Sequence, residues 1–288
     1  RAGGAGAAGG SLSLALESPY YLKMSVTDRV LNARELVLGQ VHQRSPLADT
    51  AEAAADSLEY GHARLGVDQI SAGGFDNLAL LTDGLLSFDG DVSLNMGQSL
   101  RLYTGAMALS DNAPVDSRIN LSAPYLLLAG ILDPLQAKDQ YRHPVLTTGM
   151  SLRDSQAIFK ANANLIDVRG NVQFGNNSRV LPSAMVNAVD RRGFDDVHLI
   201  SEGDLRFLEG ADELSMGINT QLMTRGDMTL MATQLYPATA VGARVLAGYL
   251  NGVTEGGFNY DPTRVLTIGR TGNSDAPVPY SAFGRLQL

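Results

Sequence analysis

The aspartates are the residues of this sequence whose spacing comes nearest to a catalytic arrangement. They form three groups, the last of which has two arginines close by: Asp76, Asp89 with Asp91, and Asp195 with Asp196, preceded by Arg191 and Arg192. Two carboxylates held about 5 to 9.5 Å apart can serve as general acid and base in the cleavage of a glycosidic bond. A carbohydrate-active enzyme is therefore one hypothesis for this chain.

The position of two of these aspartates favours a structural role instead. Asp76 and Asp195 each follow a phenylalanine at the same place in a repeated motif, GFDNLALLTDGLLSF at 74–88 and GFDDVHLISEGDLRF at 193–207. A carboxylate at such a place is typical of an Asx turn. The N-T-D, G-H-G and R-I-K motifs of polygalacturonase-type enzymes do not occur in the sequence. We therefore predict no catalytic residue.

Metal and cofactor motifs are also missing from the sequence. The histidines are isolated and none belongs to an H-E-x-x-H motif: His42, His62, His143 and His198. Asp89-Gly90-Asp91 begins like a calcium loop but lacks the further oxygen ligands. There is no cysteine, no lysine after a glycine as a phosphate-binding loop requires, and no G-x-S-x-G serine. We predict no metal ligand and no cofactor, and we expect His198 to face solvent.

Tyrosines are the remaining candidates for recognition, because exposed aromatic rings offer rigid amphipathic area to a sugar or a protein. They are scattered along the chain: Tyr20, Tyr21, Tyr103, Tyr125, Tyr141, Tyr236, Tyr249, Tyr260 and Tyr280. Packing at the edges of the fold is the more common role for such residues.

The stretch that positions most of these residues, 74–109, consists of apolar pairs two residues apart. The pairs are Leu78 and Leu80, Leu86 and Phe88, Val92 and Leu94, Leu100 and Leu102, and Met107 and Leu109. A spacing of two is the period of a strand. The pairs recur every six to eight residues, which is too soon for most hairpins of a sandwich or barrel.

Three such strands make a unit of about 21 or 22 residues, as from Leu78 to Leu100 and from Leu86 to Met107. Such a unit predicts an all-β fold, a parallel β-helix (β-solenoid) of roughly 9 to 11 turns stacked about 4.8 Å apart. The motif at 74 recurs at 193, which indicates that repeat units start near both positions.

The predicted organisation is a flexible lead-in at 1–10 followed by a single β-helix over 11–288. An alanine-rich helix is predicted at 45–60, with Asp49 or Thr50 as its cap, and a projecting loop at 131–150. Residues 62–130 are predicted to be strands throughout.

Composition limits the classes of function. The net charge is −8 and the only lysines are Lys23, Lys138 and Lys160, so we expect no nucleic-acid partner. No apolar run approaches the roughly 20 residues of a membrane span. The chain begins at Arg1 without a signal peptide, which leads us to expect a piece of a longer protein. The absence of cysteine suits a chain that crosses a membrane unfolded, although it also suits many cytosolic proteins.

Five stretches carry more than a strand pattern: GGFDNLALLTDG, LSFDGDVSLNMGQSLRLYTG, INLSAPYLLLAG, GDMTLMATQLYPAT and APVPYSAFGRLQL. They resemble the large secreted exoproteins of filamentous-haemagglutinin type from Gram-negative bacteria. More narrowly, they resemble the uncharacterised domain toward the C-terminal side of many such exoproteins. The resemblance extends from about Gly10 to Leu288.

This resemblance implies a right-handed parallel β-helix that a dedicated outer-membrane transporter exports by two-partner secretion. It implies a non-catalytic shaft segment on the outer surface of a Gram-negative bacterium, used in adhesion, biofilm formation or contact-dependent toxin presentation. The N-terminal secretion domain of the family has no match here. The implied partners are the transporter and a receptor or glycan on a host or neighbouring cell. Besides the enzyme, a receptor- or glycan-binding module acting through loops 131–150 and 236–262 remains an alternative.

Overall fold

Strands make up nearly all of the regular structure that the computed structural model describes, over residues 9–16, 34–43, 50, 53, 61–130, 150–178, 189–210, 217–254, 257–272 and 283–288. In chain order they are β1 (Gly10–Leu16), β2 (Glu35–Gly39), β3 (His62–Gly66), β4 (Phe75–Asp89), β5 (Val92–Asn95), β6 (Ser99–Leu109), β7 (Arg118–Ala129), β8 (Ile158–Arg169), β9 (Asn171–Phe174), β10 (Asn176–Ser178), β11 (Val189–Arg191), β12 (Asp196–Ser201), β13 (Asp204–Leu208), β14 (Thr220–Thr224), β15 (Asp227–Ala232), β16 (Gln234–Pro237), β17 (Gly242–Leu246), β18 (Tyr249–Thr254), β19 (Gly257–Tyr260), β20 (Leu266–Arg270) and β21 (Arg285–Gln287). Helix α1 (Val67–Gly73) lies between β3 and β4.

The main sheet has 17 strands, all paired in parallel, and its pairings form three ladders that are the faces of one coil. Face A stacks β1, the first halves of β4 and β6, the second halves of β7 and β8, β13 and β16. Face B stacks β3, β2, the second halves of β4 and β6, β9, β14, β17 and β21. Face C stacks β5, the first halves of β7 and β8, β12, β15 and β20.

From β4 to β17 the chain visits the faces in the order C, A, B, and each turn lies against the next. Leu78 pairs with Leu100, and Leu86 pairs with Met107, which are the two turn lengths predicted from the sequence. The prediction of an all-β fold built from parallel stacked strands is confirmed.

In the described ranges the longest ladder is that of face B, with eight strands, against the predicted 9 to 11 turns. Face A contains seven described strands, which corresponds to roughly 30 Å at the usual strand spacing. Excursions between faces use residues that build no turn. Two of them are antiparallel hairpins, β10 with β11 and β18 with β19.

The core is a continuous cluster of inward-facing Leu, Val, Ile, Met and Phe side chains from all three faces. Four buried phenylalanines pack together within it. The ring centroid of Phe159 lies 6.0 Å from Phe88, 4.9 Å from Phe174 and 5.3 Å from Phe194. Tilted and edge-on contacts at these distances stabilise a core beyond the burial of apolar area alone.

The two copies of the repeated motif, at 74–88 and 193–207, do not occupy equivalent faces of the coil. The first copy builds faces A and B through β4. The second builds faces C and A through β12 and β13. What recurs is a tight corner: a Cβ at Gly84 would lie 2.1 Å from the Arg34 oxygen, and one at Gly203 would lie 2.6 Å from the Asn164 oxygen.

The N-terminal end of the stack departs from the prediction of strands throughout 62–130. Residues 67–73 are helical because Val67 and Ile70, three residues apart, are both buried against the core. The Gly66 N–H donates to Gln69 Oε1 at 3.1 Å at the start of α1. Gly74, at a φ of 67°, ends the helix in the left-handed conformation that favours glycine.

Several predicted boundaries fall wholly or partly outside the described residues. The lead-in at 1–10 is described only from Gly9, and Gly10 already belongs to β1. Of the helix at 45–60 only Thr50 and Ala53 are described, and the Thr50 hydroxyl accepts a hydrogen bond from the Ala53 N–H at 3.1 Å. The loop at 131–150 is described only at Met150, which is buried.

The prediction of a loop at 236–262 is wrong over much of that range. Residues 242–246 form β17, a fully buried strand of face B. The residues that leave the main sheet are those of the hairpin β18–β19. The sequence of β17 gave no alternating signal because both of its sides are covered, as in any doubly buried strand.

Candidate functional site

The aspartates that could have been catalytic lie at corners of the coil and join one turn to another. The Asp76 carboxylate accepts a hydrogen bond from the Gly9 N–H. Asp195 Oδ1 lies 2.7 Å from Arg264 Nη1, which belongs to a later turn. Both carboxylates therefore contact a part of the chain that is distant in sequence.

Asp89 and Asp91 flank Gly90 at the corner between faces B and C. Asp89 is paired with Arg64, and its Oδ1 accepts a hydrogen bond from the Ser110 hydroxyl at 2.9 Å. Burial by itself would raise the pKa of Asp89, but the hydrogen bonds from Arg64 and Ser110 outweigh it and hold the pKa below its ordinary value. Asp91 Oδ1 accepts from the Arg118 N–H at 2.8 Å. Both carboxylates are thus engaged by neighbouring turns.

The described histidines are paired with carboxylates near the surface. His198 lies on the outer side of β12, between the buried Val197 and Leu199, and its Nε2 is 2.7 Å from Asp196 Oδ2. His42 Nδ1 is 2.6 Å from Asp68 Oδ2, a hydrogen bond that lowers the pKa of Asp68. In the part of the chain that the structure describes, no three His, Asp or Glu residues come together as a metal site would require.

A small cleft of about 40 Å³ at the corner between faces B and C gathers three arginines from different turns. Arg264 pairs with Asp195 at 2.7 Å, and Arg225 lies 3.5 Å from Asp154. The third, Arg153, pairs at 2.9 Å with a further aspartate outside the cleft. Two carboxylates line this cleft, and both face guanidinium groups, so the positive and negative charges compensate each other.

The most closely packed polar cluster lies on the outer side of face A. Asp167 is almost fully buried, with 3% of its side chain exposed. Arg206 donates to both of its carboxylate oxygens, at 2.8 and 2.9 Å, and the Tyr125 hydroxyl donates to Oδ2 at 3.0 Å. Burial and the Asp167 charge raise the pKa of Tyr125 well above its ordinary value. The hydrogen bond to Asp167 raises the pKa of Arg206.

Further tyrosine and arginine contacts extend this cluster along face A. The Arg101 guanidinium lies 5.5 Å from the centre of the Tyr125 ring, within cation–π distance. Arg206 and Tyr236 are neighbours in the ladder, and the Tyr236 hydroxyl donates to Asp204 Oδ2 at 3.0 Å. Tyr125 and Tyr236 were candidates from the sequence. Asp167 and Arg206 were missed.

A buried ion pair fastens the hairpin β10–β11 to face B. Arg191 Nε lies 3.0 Å from Glu35 Oε1 and Nη2 lies 2.8 Å from Oε2, across 156 residues of sequence. The Ser87 hydroxyl donates to the same carboxylate at 2.5 Å. Burial by itself would raise the pKa of Glu35, but the bonds from Arg191 and Ser87 outweigh it and lower the pKa.

An open groove of about 290 Å³ follows the corner between faces C and A. We name it the corner groove and define it by its polar lining residues, Asn95, Ser122, Asn162, Asn164 and Glu202. Its apolar lining comes from Ala123, Pro124, Ala163 and Ile200. It is the larger of the two cavities described above and spans several turns.

No family model, curated protein or solved structure matches this chain. Within the described ranges, no helix combines the length and apolarity needed to cross a membrane. Inferences about function therefore start from the geometry: a rigid stack whose outward charges bond between turns, a tyrosine–arginine cluster on face A, and the corner groove.

Proposed function

We propose that this chain is a non-catalytic shaft segment of a secreted surface exoprotein, a right-handed β-helix exported by two-partner secretion. The observation that carries the proposal is the way charged side chains are used. Asp89, Asp167 and Asp195 each bond to an arginine from a different turn. Charges used in this way fasten a rod, and as part of a bacterial surface filament the rod serves adhesion, biofilm formation or toxin presentation.

The enzyme alternative would require a concave face with at least three carboxylates and an arginine. The cleft at the corner between faces B and C offers Asp154 and Asp195, both opposite arginines. Both carboxylates are engaged by these arginines, and the cleft supplies two carboxylates rather than three. This supports a structural role for both residues.

The export part of the proposal is tested by joining residues 1–288 to a two-partner secretion domain and co-expressing the cognate outer-membrane transporter. We expect the chain to reach the outer surface and its stacked strands to resist added protease there, because the described strands are held in parallel ladders. Retention of the chain inside the cell, while the secretion domain alone is exported, would contradict the proposal.

Receptor or glycan binding through the loops is a second candidate function, favoured by the hairpin β18–β19. Tyr249 and Tyr260 pair across the hairpin with ring centroids 6.3 Å apart, and Tyr260 is 40% exposed. Cell adhesion assays on Tyr260→Ala and on a deletion of residues 131–150 test the two predicted loops separately. Unchanged adhesion in both variants would exclude this function.

A further inference from the structure

The corner groove is lined by a row of side chains that repeats with the turns of the coil. In the ladder of face C, Asn95 pairs with Ser122, Ser122 with Asn162, and Asn162 with Ile200. These residues therefore stand one above another on four successive turns, about 4.8 Å apart. A second row, formed by Pro124, Asn164 and Glu202, borders the groove on the side of face A.

The chemistry of the lining is polar and carries almost no charge. Three amides and a hydroxyl supply both hydrogen-bond donors and acceptors, of which the Ser122 hydroxyl donates to Asn95 Oδ1 at 3.0 Å, and Glu202 supplies acceptors. The apolar atoms of Ala123, Ala163 and Ile200 lie between them. No Lys, Arg or His is among the described residues that line the groove.

We propose that the corner groove binds an extended, neutral oligosaccharide that lies parallel to the axis of the coil. The sugar repeat of an extended β-1,4-linked glycan is close to the spacing of the stacked strands, about 4.8 Å. Successive sugars therefore lie opposite successive turns of the row, with every second sugar presenting the same hydroxyls, and the apolar atoms of Pro124 and Ile200 face the C–H groups of the sugar rings. This inference goes beyond the proposed shaft and does not depend on export.

The charge of the lining selects against acidic glycans. A polyuronate would bring its carboxylates toward Glu202 without meeting a cation, and like charges at close range repel. An extended peptide fits less well, because its side chains on one face repeat at nearly 7 Å, twice the rise of a strand residue, and do not match the turns.

Calorimetric titration of the purified 288-residue chain tests the proposal, with cellohexaose, chitohexaose and mannohexaose as neutral probes and hexagalacturonate as the acidic comparison. We expect saturable binding of at least one neutral hexasaccharide and much weaker binding of hexagalacturonate. Asn162→Ala and Glu202→Ala should each weaken binding about tenfold, as expected when one or two hydrogen bonds are lost.

Asn120→Ala is the matched control for Asn162→Ala. Asn120 is an exposed asparagine two residues before Ser122 on β7, and it pairs with Lys160, so it stands outside the row. Circular dichroism establishes that each variant is folded. Absence of binding by all three neutral probes, equal loss in the Asn120 and Asn162 variants, or equally tight binding of hexagalacturonate would each overturn the proposal.

Discussion

Asp167 is the residue of the outer surface most dependent on its partners, because its carboxylate is buried and Arg206 supplies two of its hydrogen bonds. Arg206→Ala leaves that charge without its counter-ion. We expect a loss of about 2 kcal/mol in the free energy of unfolding, below the value for a fully buried pair because the Arg206 side chain is 33% exposed. Denaturant unfolding measures this change in the free energy of unfolding.

The exposed Arg118 at the start of β7 provides the control for this variant. Arg118→Ala should change the free energy of unfolding by no more than about 0.5 kcal/mol, as is usual for surface positions. Removing the carboxylate as well, in Arg206→Ala with Asp167→Leu, should recover part of the loss. Equal effects of the Arg206 and Arg118 substitutions would contradict the role given to Asp167.

Glu35 should make the stability of the fold depend on pH. Its pKa in the folded chain lies below its ordinary value of 4.5, so the fold favours the ionised form. The stabilisation is complete above the unfolded pKa and is lost as the pH falls through the lower folded value. Unfolding midpoints measured from pH 7 down to pH 3 should fall less steeply for Glu35→Gln than for the parent chain.

The exposed Asp116 allows a comparison for the pH series. Asp116→Asn should leave the pH dependence of the unfolding midpoint as it is in the parent chain. If Glu35→Gln also leaves it unchanged, the ion pair with Arg191 does not contribute to stability.

At the residue scale, the sequence predicts the tyrosines of face A but not their partners. Tyr125 and Tyr236 are among the tyrosines considered for recognition because of their aromatic rings. Asp167 and Arg206 are 39 residues apart, whereas the turn length deduced from the sequence is 21 or 22. Excursions of different lengths change the number of residues per turn. A fixed period therefore cannot predict that these two residues lie side by side.

The glycine corners are the element on which the stacking of turns depends. A Cβ at Gly203 would lie 2.6 Å from the backbone oxygen of Asn164, which cannot move without breaking its own ladder. Gly203→Ala should therefore lower the free energy of unfolding by about 2 kcal/mol or more. Thermal and denaturant unfolding measure the change.

Gly39 in β2 is a glycine at which an added Cβ would not approach another atom too closely. The atom nearest to a Cβ placed there is the Val41 oxygen at 3.5 Å, an ordinary contact. Gly39→Ala should be tolerated within about 0.5 kcal/mol, since it also reduces the freedom of the unfolded chain. A cost as large as that of Gly203→Ala would show that close backbone approach is not what selects glycine at the corners.

At the element scale, strands with one solvated side were predictable and the remaining elements were not. The alternation of Leu12, Leu14 and Leu16 with small residues is retained in β1, whose exposure alternates in the same way. Helix α1 has only seven residues, too few for a clear 3.6-residue period, and its caps are glycines that suit a turn equally well. The face that a repeat occupies depends on the lengths of the excursions before it. The sequence of the repeated motif does not contain that information.

At the scale of the whole molecule, a chain that is threaded through a transporter must not be closed on itself beforehand. Ser93 and Asn120 are Cα partners on the exposed side of face C, and neighbouring parallel strands bring Cα atoms within disulfide range. We expect Ser93→Cys with Asn120→Cys to reduce export several-fold, measured as protease-accessible chain on the cell surface.

The single variants Ser93→Cys and Asn120→Cys should be exported normally, and added reductant should restore export of the double variant. Normal export of the oxidised double variant would contradict the proposed unfolded passage. That result would not contradict the fold or the proposed binding at the corner groove, because neither depends on secretion.

The ladder of face B runs β3, β2, β4, so β2 lies between two strands that both follow it in the chain. Leu36 pairs with Ala63 on one side and with Leu86 on the other. A ribosome that has released β2 must still make about 50 more residues before both of its edges are paired. The first strand of face B to be synthesised thus keeps both of its edges open until two later strands have been made. The N-terminal turns of this chain therefore depend on one another. Truncation that removes β2 would also remove the strand with which β3 pairs.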